Sequence, residues 1–339
     1  MLQNSFFSIE QFNHRYDVVA IENALIDMLV RANDSDLKSF GMTKGVMQLV
    51  DEDTQKNVLK NLGNAKPEIE LGGSASNAIR GLAVLGAKTS YSSSVGNDSY
   101  GKAFASRMNE LGILNRLTVV ENVHTGTCLV VVTPDSERTL NTYLGACRSY
   151  TTSHVPYDDI ANTKIFFTTG YMLDTQNQID ALHSAIDHAL NNNVKVAFDV
   201  ADPFVIARHG QKTIMNLLEK THLVFLNAEE AKMLVGLSPD KAALELAKTI
   251  QLAIVKDGEK GAYIAHDGNL TFIPALKVEV ADTTGAGDMF AGGFMFGLCK
   301  GLTLEQAGQI ATVLAADTVS HMGVRLSSGI RSRVETLLR

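Results

Sequence analysis

Cysteine is scarce in this 339-residue sequence, and its scarcity excludes some classes of protein. The three cysteines, Cys128, Cys147 and Cys299, lie far apart, and no two of them form a CxxC pair. An odd and widely spaced set argues against a disulfide framework and against a zinc site. We therefore expect three buried thiols in a protein of the reducing cytoplasm.

Long apolar runs are also missing. No tract approaches the roughly 18 consecutive apolar residues that a membrane-spanning helix requires. The first residues have neither the basic start nor the apolar run of a secretory signal. The sequence thus predicts a cytoplasmic protein outside the membrane.

A basic surface is not expected either. The chain has 30 Lys and Arg against 37 Asp and Glu, a formal net charge of -7, and no run of five basic residues. Nucleic acid is therefore a poor candidate partner. A phosphorylated ligand remains open, because backbone N–H groups at the start of a helix bind phosphate without a basic surface.

What the sequence does contain is an alternation of short β-rich runs with longer helical stretches. Such alternation predicts a mostly parallel sheet covered by helices on both faces. The predicted strands are residues 16–21, 89–95, 164–169, 194–200, 223–226 and 253–256, and the predicted helices are residues 74–85, 102–111, 175–191, 286–298 and 304–321.

One stretch interrupts this alternation. Residues 117–120, 128–133 and 140–144 are consecutive strand-like runs without an intervening helix, which suggests a small antiparallel flap. Residues 28–71 carry mixed signals and are assigned to the same flap. We expect one domain over residues 1–339, with a lid formed approximately by residues 28–71 and 116–146.

The strongest chemical signal is the run DTTGAGD, which ends at Asp288 and is followed by an apolar helix. Small residues at a helix start leave N–H groups uncovered, and those groups bind an anion. A carboxylate at an anion site is explained if it accepts a proton from a hydroxyl that attacks a phosphate, a role for which an ordinary carboxylate pKa suffices. The alternative is a glycine-rich helix start that merely packs closely.

Two further clusters lie at predicted helix starts. Asn227 and Glu230 follow the apolar strand LVFL, where they would either organise a hydrated Mg²⁺ or form a simple capping box. The run from Gly72 to Asn77 would let the backbone approach a ligand, or form only a tight loop and cap. Upstream, Asp27 would accept hydrogen bonds from two vicinal hydroxyls, or lie in a solvated turn.

Other motifs fail. Residues 96–103 nearly match a phosphate-binding Walker loop, but Ala103 replaces the Ser or Thr that would bind Mg²⁺. No GxGxxG motif follows the first strand, which argues against the interpretation as a dinucleotide-dependent dehydrogenase. The nine histidines show no metal-ligand spacing such as HExxH.

Taken together, DTTGAGD, GGSASN with VGNDSYG downstream, and NAEE resemble the ribokinase/PfkB-type carbohydrate kinase family, most closely its adenosine kinase branch. The resemblance extends over residues 16–325. It implies a three-layer α/β/α ribokinase-like sandwich with a mostly parallel central sheet and a small β lid. It also implies ATP and Mg²⁺ as cofactors, and it leaves a potassium requirement open.

The resemblance also assigns roles to residues. Asp288 would be the catalytic base, the amides of Gly285, Ala286 and Gly287 the anion hole, and Arg138 a lid residue over the transferred phosphate. Asn227 and Glu230 would organise Mg²⁺ around the phosphates. The substrate would be bound by Asn23, Asp27, Gly72, Gly73, Ser74, Asn77 and Met172. The nucleotide site would include Asn227, Lys256, Gly258, Gly261 and Thr283.

Three positions depart from the family pattern. Glu22 stands where glycine is usual, and Lys256 stands where threonine is common. Met172 lies in the region that supplies a base-stacking aromatic residue in adenosine kinases. None of these departures removes Asp288, the anion hole or the Asn227–Glu230 pair.

The leading hypothesis is therefore an ATP-dependent kinase that phosphorylates a primary hydroxyl, most plausibly the 5′-hydroxyl of adenosine or a related nucleoside. The alternatives are a kinase for ribose, fructose or a similar sugar, and a non-catalytic ligand sensor. The sequence leaves open whether the protein is a monomer or a homodimer.

Overall fold

Fourteen strands form two separate sheets in the computed structural model, which describes residues 6–7, 14–61, 67–135 and 137–338. The strands are β1 (Tyr16–Ile21), β2 (Leu25–Arg31), β3 (Met47–Leu49), β4 (Glu68–Gly72), β5 (Thr89–Gly96), β6 (Leu114–Val120), β7 (Gly126–Val132), β8 (Arg138–Tyr143), β9 (Thr163–Thr169), β10 (Lys195–Asp199), β11 (Leu223–Asn227), β12 (Leu252–Lys256), β13 (Gly261–His266) and β14 (Asn269–Pro274). The ends of the predicted 1–339 domain and residues 62–66 and 136 of the predicted lid lie outside the described residues.

Thirteen helices are found in the same described ranges. They are α1 (Asp34–Ser39), α2 (Glu52–Asn61), α3 (Ser74–Val84), α4 (Ser99–Glu110), α5 (Tyr157–Ala161), α6 (Gln176–Asn191), α7 (Pro203–His209), α8 (Gln211–Leu218), α9 (Ala228–Val235), α10 (Pro239–Leu246), α11 (Ala286–Cys299), α12 (Leu304–Val319) and α13 (Ile330–Leu337). No helix in these ranges has the length and apolar character needed to cross a membrane.

The larger sheet has nine strands in the order β14-β13-β12-β11-β10-β9-β1-β5-β6. Every pair from β12 to β6 is parallel, and the β13–β14 hairpin extends one edge in antiparallel register. The prediction of a mostly parallel sheet is confirmed.

Helices cover both faces of this sheet because its central strands are apolar on both sides. Along β1, Val18 and Ala20 enter one core while Val19 and Ile21 enter the other, as the alternation of a strand requires. Helices α3, α4, α11, α12 and α13 pack on the first face, and α5 to α10 pack on the second. The predicted three-layer α/β/α arrangement is therefore present.

The smaller sheet contains five strands in the order β3-β8-β7-β2-β4. One of its faces packs on α1 and α2 through Leu37 and Val58. The opposite face carries Leu29 and Val130, which pack with Met322 of the main body. Helices α1 and α2 thus cover one face of the small sheet, and the other face is turned toward the main body.

The structure corrects two details of the predicted flap. Residues 117–120 belong to β6 of the large sheet, because α4 precedes this strand and provides the crossover that makes it parallel to β5. The small sheet is also mixed rather than antiparallel, since β2 pairs with β7, and β3 with β8, in parallel register.

The parallel strands place several polar residues at one edge of the large sheet. Glu22 and Asn23 follow β1, while Asp199, Asn227 and Lys256 end β10, β11 and β12. Open α/β sheets bind ligands outside the carboxyl ends of their strands. The small sheet connects to the large one at this edge, through the short segment between β1 and β2.

Candidate active site

A cleft of about 1270 Å³ lies between the carboxyl edge of the large sheet and the small sheet. Single ligand sites are typically ~300–1,000 Å³, so this cleft has room for two ligands side by side. It brings together most of the residues that the sequence singled out. Those that line it are Asn23, Asp27, Gly73, Ser74, Asn77, Arg138, Asn227, Glu230, Lys256, Gly258, Gly261, Thr283, Gly285, Ala286, Gly287 and Asp288.

Asp288 lies in the first turn of α11, partly exposed to the cleft. Ser74 Oγ donates a hydrogen bond to Oδ1 (2.7 Å), and Asn77 Nδ2 donates one to Oδ2 (2.8 Å). Burial raises the pKa of the carboxyl, and these two hydrogen bonds only partly oppose that effect. A raised pKa makes Asp288 a stronger proton acceptor than the ordinary carboxylate expected from the sequence.

The orientation of Asn77 is fixed from beneath the cleft. The buried Arg80 guanidinium donates to Asn77 Oδ1 and to the Leu71 carbonyl oxygen (2.7 Å for the latter). The amide nitrogen of Asn77 is therefore directed to Asp288. Arg80 was not singled out from the sequence, because it lies inside an amphipathic helix with no motif around it.

Backbone N–H groups are available next to Asp288. Gly285 has φ +70° and precedes α11, and a Cβ on it would lie 2.7 Å from the Val324 side chain, so only glycine fits there. Ala286 and Gly287 occupy the first turn, where N–H groups have no acceptor within the helix, and the Ala286 N–H makes only a long hydrogen bond (3.4 Å) to the Thr283 carbonyl oxygen before it. The positive end of the α11 dipole thus faces the cleft beside the carboxylate.

Asn227 and Glu230 form a capping box at the start of α9, so the simpler interpretation of this pair holds at the structural level. Asn227 Oδ1 accepts from the Glu230 N–H (2.9 Å), and Glu230 Oε2 accepts from the Asn227 N–H (2.8 Å). Both residues nevertheless line the cleft. Burial, with a further contribution from Asp199, raises the pKa of Glu230 to about 8.

The oxygen donors here suit a hydrated Mg²⁺ better than a fully coordinated ion. Mg²⁺ keeps most of its waters and needs few protein ligands. Both Glu230 oxygens already accept hydrogen bonds from Asn227, so an ion would be held through water. No group of three or more metal-ligating side chains occurs within the described ranges.

On the lid side, Asp27 projects from β2 into the cleft and Arg138 stands at the start of β8. Burial raises the pKa of Asp27 to about 7, although Arg80 opposes this. Gly72 was predicted to bind the substrate, but it does not line the cleft. It pairs with Leu25 across the sheet, and a Cβ on it would lie 2.1 Å from Asp27 Oδ1, so its role is to leave room for that carboxylate.

The prediction that Met172 contacts the substrate is wrong. Its side chain is 1% exposed and packs into the core on the second face of the sheet. The 3₁₀ turn Gly170–Leu173 rotates the chain so that its neighbour Tyr171 lines the cleft instead. Tyr171 Oη donates to Asp202 (3.3 Å), which also lines the cleft.

Comparison with known proteins assigns the chain to a family. The model of the pfkB family carbohydrate kinases matches residues 38–330. The chain belongs to the pfkB family of carbohydrate kinases. It is therefore a phosphotransferase with a hydroxyl group as acceptor, on a ribokinase-like α/β fold.

Individual members of the family cover almost the whole chain. Adenosine kinase of Saccharomyces cerevisiae is 29% identical in an alignment 333 positions long, which covers 90% of this chain and 95% of the yeast protein. The crystal structure of adenosine kinase from Sinorhizobium meliloti has a TM-score of 0.90 at 30% identity and covers 95% of this chain and 99% of that one. A probable sugar kinase from Rhizobium etli has a TM-score of 0.90 at 29% identity, and the match covers 95% of this chain and 98% of that one.

In this pfkB kinase, the cleft also contains apolar residues that the sequence did not reveal. Phe204 of α7 stands on the main body, and Met47 and Leu49 of β3 stand on the lid side. Phe204 follows a Pro at the start of a short helix, and Met47 lies in a strand of three residues. Neither context carries a recognisable motif.

Proposed function

We propose that this pfkB kinase transfers the γ-phosphoryl group of ATP to a primary hydroxyl of a nucleoside, most plausibly the 5′-hydroxyl of adenosine. The observation that carries the proposal is the order of groups along one cleft. The nucleotide loop follows β12, towards one edge of the large sheet, whereas the acceptor end with Asn23, Asp27 and the small sheet follows β1, and the α11 amides and Asp288 line the same cleft.

The acceptor end favours a planar base attached to the sugar. The Phe204 ring and the Met47 and Leu49 side chains supply apolar surfaces, while Asp202 supplies an acceptor for an exocyclic amine. A free pentose would leave this apolar surface uncovered. The similarity to proteins named adenosine kinase supports the same choice.

Asp288 has the position required of a general base. The acceptor hydroxyl oxygen attacks the γ-phosphorus, its proton passes to an Asp288 oxygen, and the bond from the γ-phosphorus to the β,γ-bridging oxygen breaks to release ADP. The N–H groups at the start of α11 stabilise the negative charge on the equatorial oxygens. Asp27 would accept hydrogen bonds from the ribose hydroxyls, and Arg138 would approach the phosphate from the lid.

ATP and Mg²⁺ are proposed as the phosphoryl donor and metal of this reaction. The ion, when bound, would neutralise phosphate charge. Asn227 and Glu230 would hold it through water, and Lys256, Gly258, Gly261 and Thr283 would line the nucleotide side. Whether potassium is also required is tested by running the assay in potassium and in sodium buffers.

The proposal is tested by Mg²⁺-ATP-dependent ADP release with adenosine, inosine, guanosine, ribose and fructose. We expect turnover with adenosine. Asp288→Asn should lower kcat by about 10²- to 10⁴-fold, the usual contribution of a general base, while adenosine still binds. Near-normal kcat in this variant would refute the assignment of the base.

The same panel separates the alternatives. Activity on free sugars alone would make the protein a sugar kinase, which the likeness to the Rhizobium etli protein keeps in view. Saturable ligand binding without ADP production would indicate a sensor. The Asn227–Glu230 pair and Asp288 argue against a sensor, because they line the cleft with their supporting hydrogen bonds in place.

We also propose that the protein works in the cytoplasm, because its three cysteines are buried and none is in a disulfide. A monomer is favoured over a homodimer. Helices α1 and α2 already cover the outer face of the small sheet, through which two lids would otherwise pack. Light scattering on the purified protein distinguishes the two states.

A further inference from the structure

Lys256 ends β12 beside Asn227 of β11, so its side chain starts at the cleft edge of the sheet. The side chain then crosses toward the start of α11. A Cβ built on Gly287 would lie 3.1 Å from Lys256 Nζ, which places the ammonium group next to the amides proposed to bind the phosphate. A larger residue than glycine at position 287 would displace this ammonium group.

The ammonium group is held there by Asp199. Lys256 Nζ donates to Asp199 Oδ2 at 2.9 Å, and Asp199 Oδ1 accepts from the Ala201 N–H at 3.0 Å. The Asp199 side chain is 2% exposed and that of Lys256 is 17% exposed. A carboxylate fixed by the backbone thus determines where the positive charge lies.

The ammonium group retains hydrogen-bonding capacity. It has three N–H donors, and across the described part of the chain Lys256 Nζ makes one hydrogen bond, to Asp199. Burial lowers the pKa of Lys256, but the paired Asp199 carboxylate opposes this effect and the net pKa is raised, so the group is charged at neutral pH. A charged donor that lines the cleft beside an anion-binding helix start is suited to a phosphate oxygen.

We propose that Lys256 binds the γ-phosphoryl group during transfer, adding a mobile positive charge to the backbone amides of the anion hole. Asp199 acts as a positioning residue that holds the ammonium group until the triphosphate binds. The inference rests on the proposed kinase reaction and specifies which phosphate Lys256 contacts. It gives a reason for lysine at a position where threonine is common in the family.

The test compares two nucleotides without any acceptor. Calorimetry measures the affinity of Mg²⁺-ADP and of the Mg²⁺ complex of the non-hydrolysable ATP analogue AMP-PNP for the wild type, Lys256→Met and Lys256→Arg. We expect Lys256→Met to weaken AMP-PNP binding at least about tenfold more than ADP binding, and Lys256→Arg to recover part of that difference. In turnover, kcat should fall about 10²-fold, as when one donor of an oxyanion hole is lost.

Lys256→Met leaves Asp199 without its buried partner, which can itself destabilise the fold or repel the triphosphate. The double variant Asp199→Asn/Lys256→Met removes that charge, and we expect it to keep the selective loss of AMP-PNP affinity. Lys248→Met, which breaks an exposed ion pair with Glu245, is the matched control and should bind both nucleotides normally.

Equal weakening of both nucleotides, unchanged affinities, or recovery of AMP-PNP binding in the double variant would overturn the inference. Because calorimetry requires no acceptor, a failure to phosphorylate any nucleoside or sugar would count against the proposed function without affecting this result.

Discussion

Asp288 is the residue on which the proposed chemistry depends, and its surroundings make its proton affinity adjustable. Burial and the Asp199 carboxylate raise its pKa, while Asn77, Ser74 and Lys256 lower it. Of these groups, Ser74 contributes a single hydroxyl at 2.7 Å and can be shortened without loss of charge.

We predict that Ser74→Ala moves the acid limb of the pH profile of kcat/KM to higher pH, by up to about one unit. The hydroxyl donates to the ionised carboxylate, so its loss favours the protonated form and raises the pKa of Asp288. The measurement is kcat/KM between pH 5 and pH 9. Ser106→Ala, which alters an exposed serine bonded to Glu110, is the control, and an unmoved acid limb in Ser74→Ala would contradict the prediction.

Phe204 allows a second prediction at the scale of the residue. Stacking of a base on an aromatic ring contributes about 1–3 kcal/mol, so Phe204→Ala should raise the KM for adenosine about tenfold or more. The KM for ATP should stay near that of the wild type, because the ring lies at the acceptor end. Phe272→Ala removes an exposed ring of β14 as a control. Equal rises in both KM values would show that Phe204 is not part of the base site.

Site residues that belong to a recognisable motif could be predicted from the sequence, whereas site residues outside any motif could not. Asp288, Asn227 and Ser74 each stand at a helix start with a characteristic run around them, and all three line the cleft. The prediction that Met172 contacts the substrate was wrong because a shift of one residue in a 3₁₀ turn decides which side chain enters the core. That rotation depends on packing against α6, which the local sequence does not encode.

Among the elements, α2 is attached to the small sheet mainly through one polar residue. Gln55 is 4% exposed, and its Nε2 donates to the carbonyl oxygens of Thr127 (3.1 Å) and Asn141 (3.0 Å). Its Oε1 accepts from Thr127 Oγ1. The helix therefore gives buried groups of β7 and β8 additional hydrogen-bond partners.

We predict that Gln55→Ala lowers the free energy of unfolding by about 2–4 kcal/mol, because it removes three buried hydrogen bonds and opens a cavity. Amide hydrogen exchange should increase most in β7, β8 and α2, while the nine-stranded sheet stays protected. Urea unfolding and exchange measured by mass spectrometry provide the two readouts.

Gln176→Ala is the matched control for this substitution, since Gln176 is exposed and its Nε2 donates to Asp180 of its own helix. It should change stability by less than about 0.5 kcal/mol. Uniform loss of protection across both sheets in Gln55→Ala would show that the small sheet does not unfold independently.

The elements themselves were predictable where the alternation of strand and helix was clear. The strand 117–120 was misassigned because β6 is a partly exposed edge strand, so it looks like a strand of the flap when read alone. The β13–β14 hairpin, which follows β12 at the edge of the large sheet, was not predicted from the sequence. Its antiparallel pairing at the edge of an otherwise parallel sheet depends on contacts with α10 and α12. Tertiary contacts, rather than propensity, decide both cases.

At the scale of the whole molecule, several buried carboxyl groups line the cleft. Their position suits ligand binding, but their burial lowers the stability of the ligand-free protein when they are ionised. Glu22 is 2% exposed below the start of α3 and accepts from the Ala75 N–H at 3.2 Å. Burial raises its pKa to about 8, and burial likewise raises that of Asp27 to about 7. In the unfolded chain both groups ionise at ordinary acidic pH.

These shifts give the ligand-free protein a definite dependence on pH. Below about pH 4 both carboxyls are protonated in the folded and unfolded states, and their stabilising contribution is fully present. Between about pH 4 and pH 8 the folded state binds more protons than the unfolded state, so the free energy of unfolding falls as the pH rises. One such proton contributes at most about 1.4 kcal/mol per pH unit.

We predict that Glu22→Gln removes part of this slope. The variant should match the wild type near pH 4 and be more stable than it at pH 8, because glutamine keeps an acceptor for the Ala75 N–H and carries no charge. Urea unfolding at pH 4.5, 6.5 and 8 measures the difference, with Glu110→Gln as an exposed control that should run parallel to the wild type. If the free energy of unfolding of Glu22→Gln also changed with pH in parallel with that of the wild type, Glu22 would be ionised in the folded protein. Its carboxylate would then add to the field that raises the pKa of Asp288.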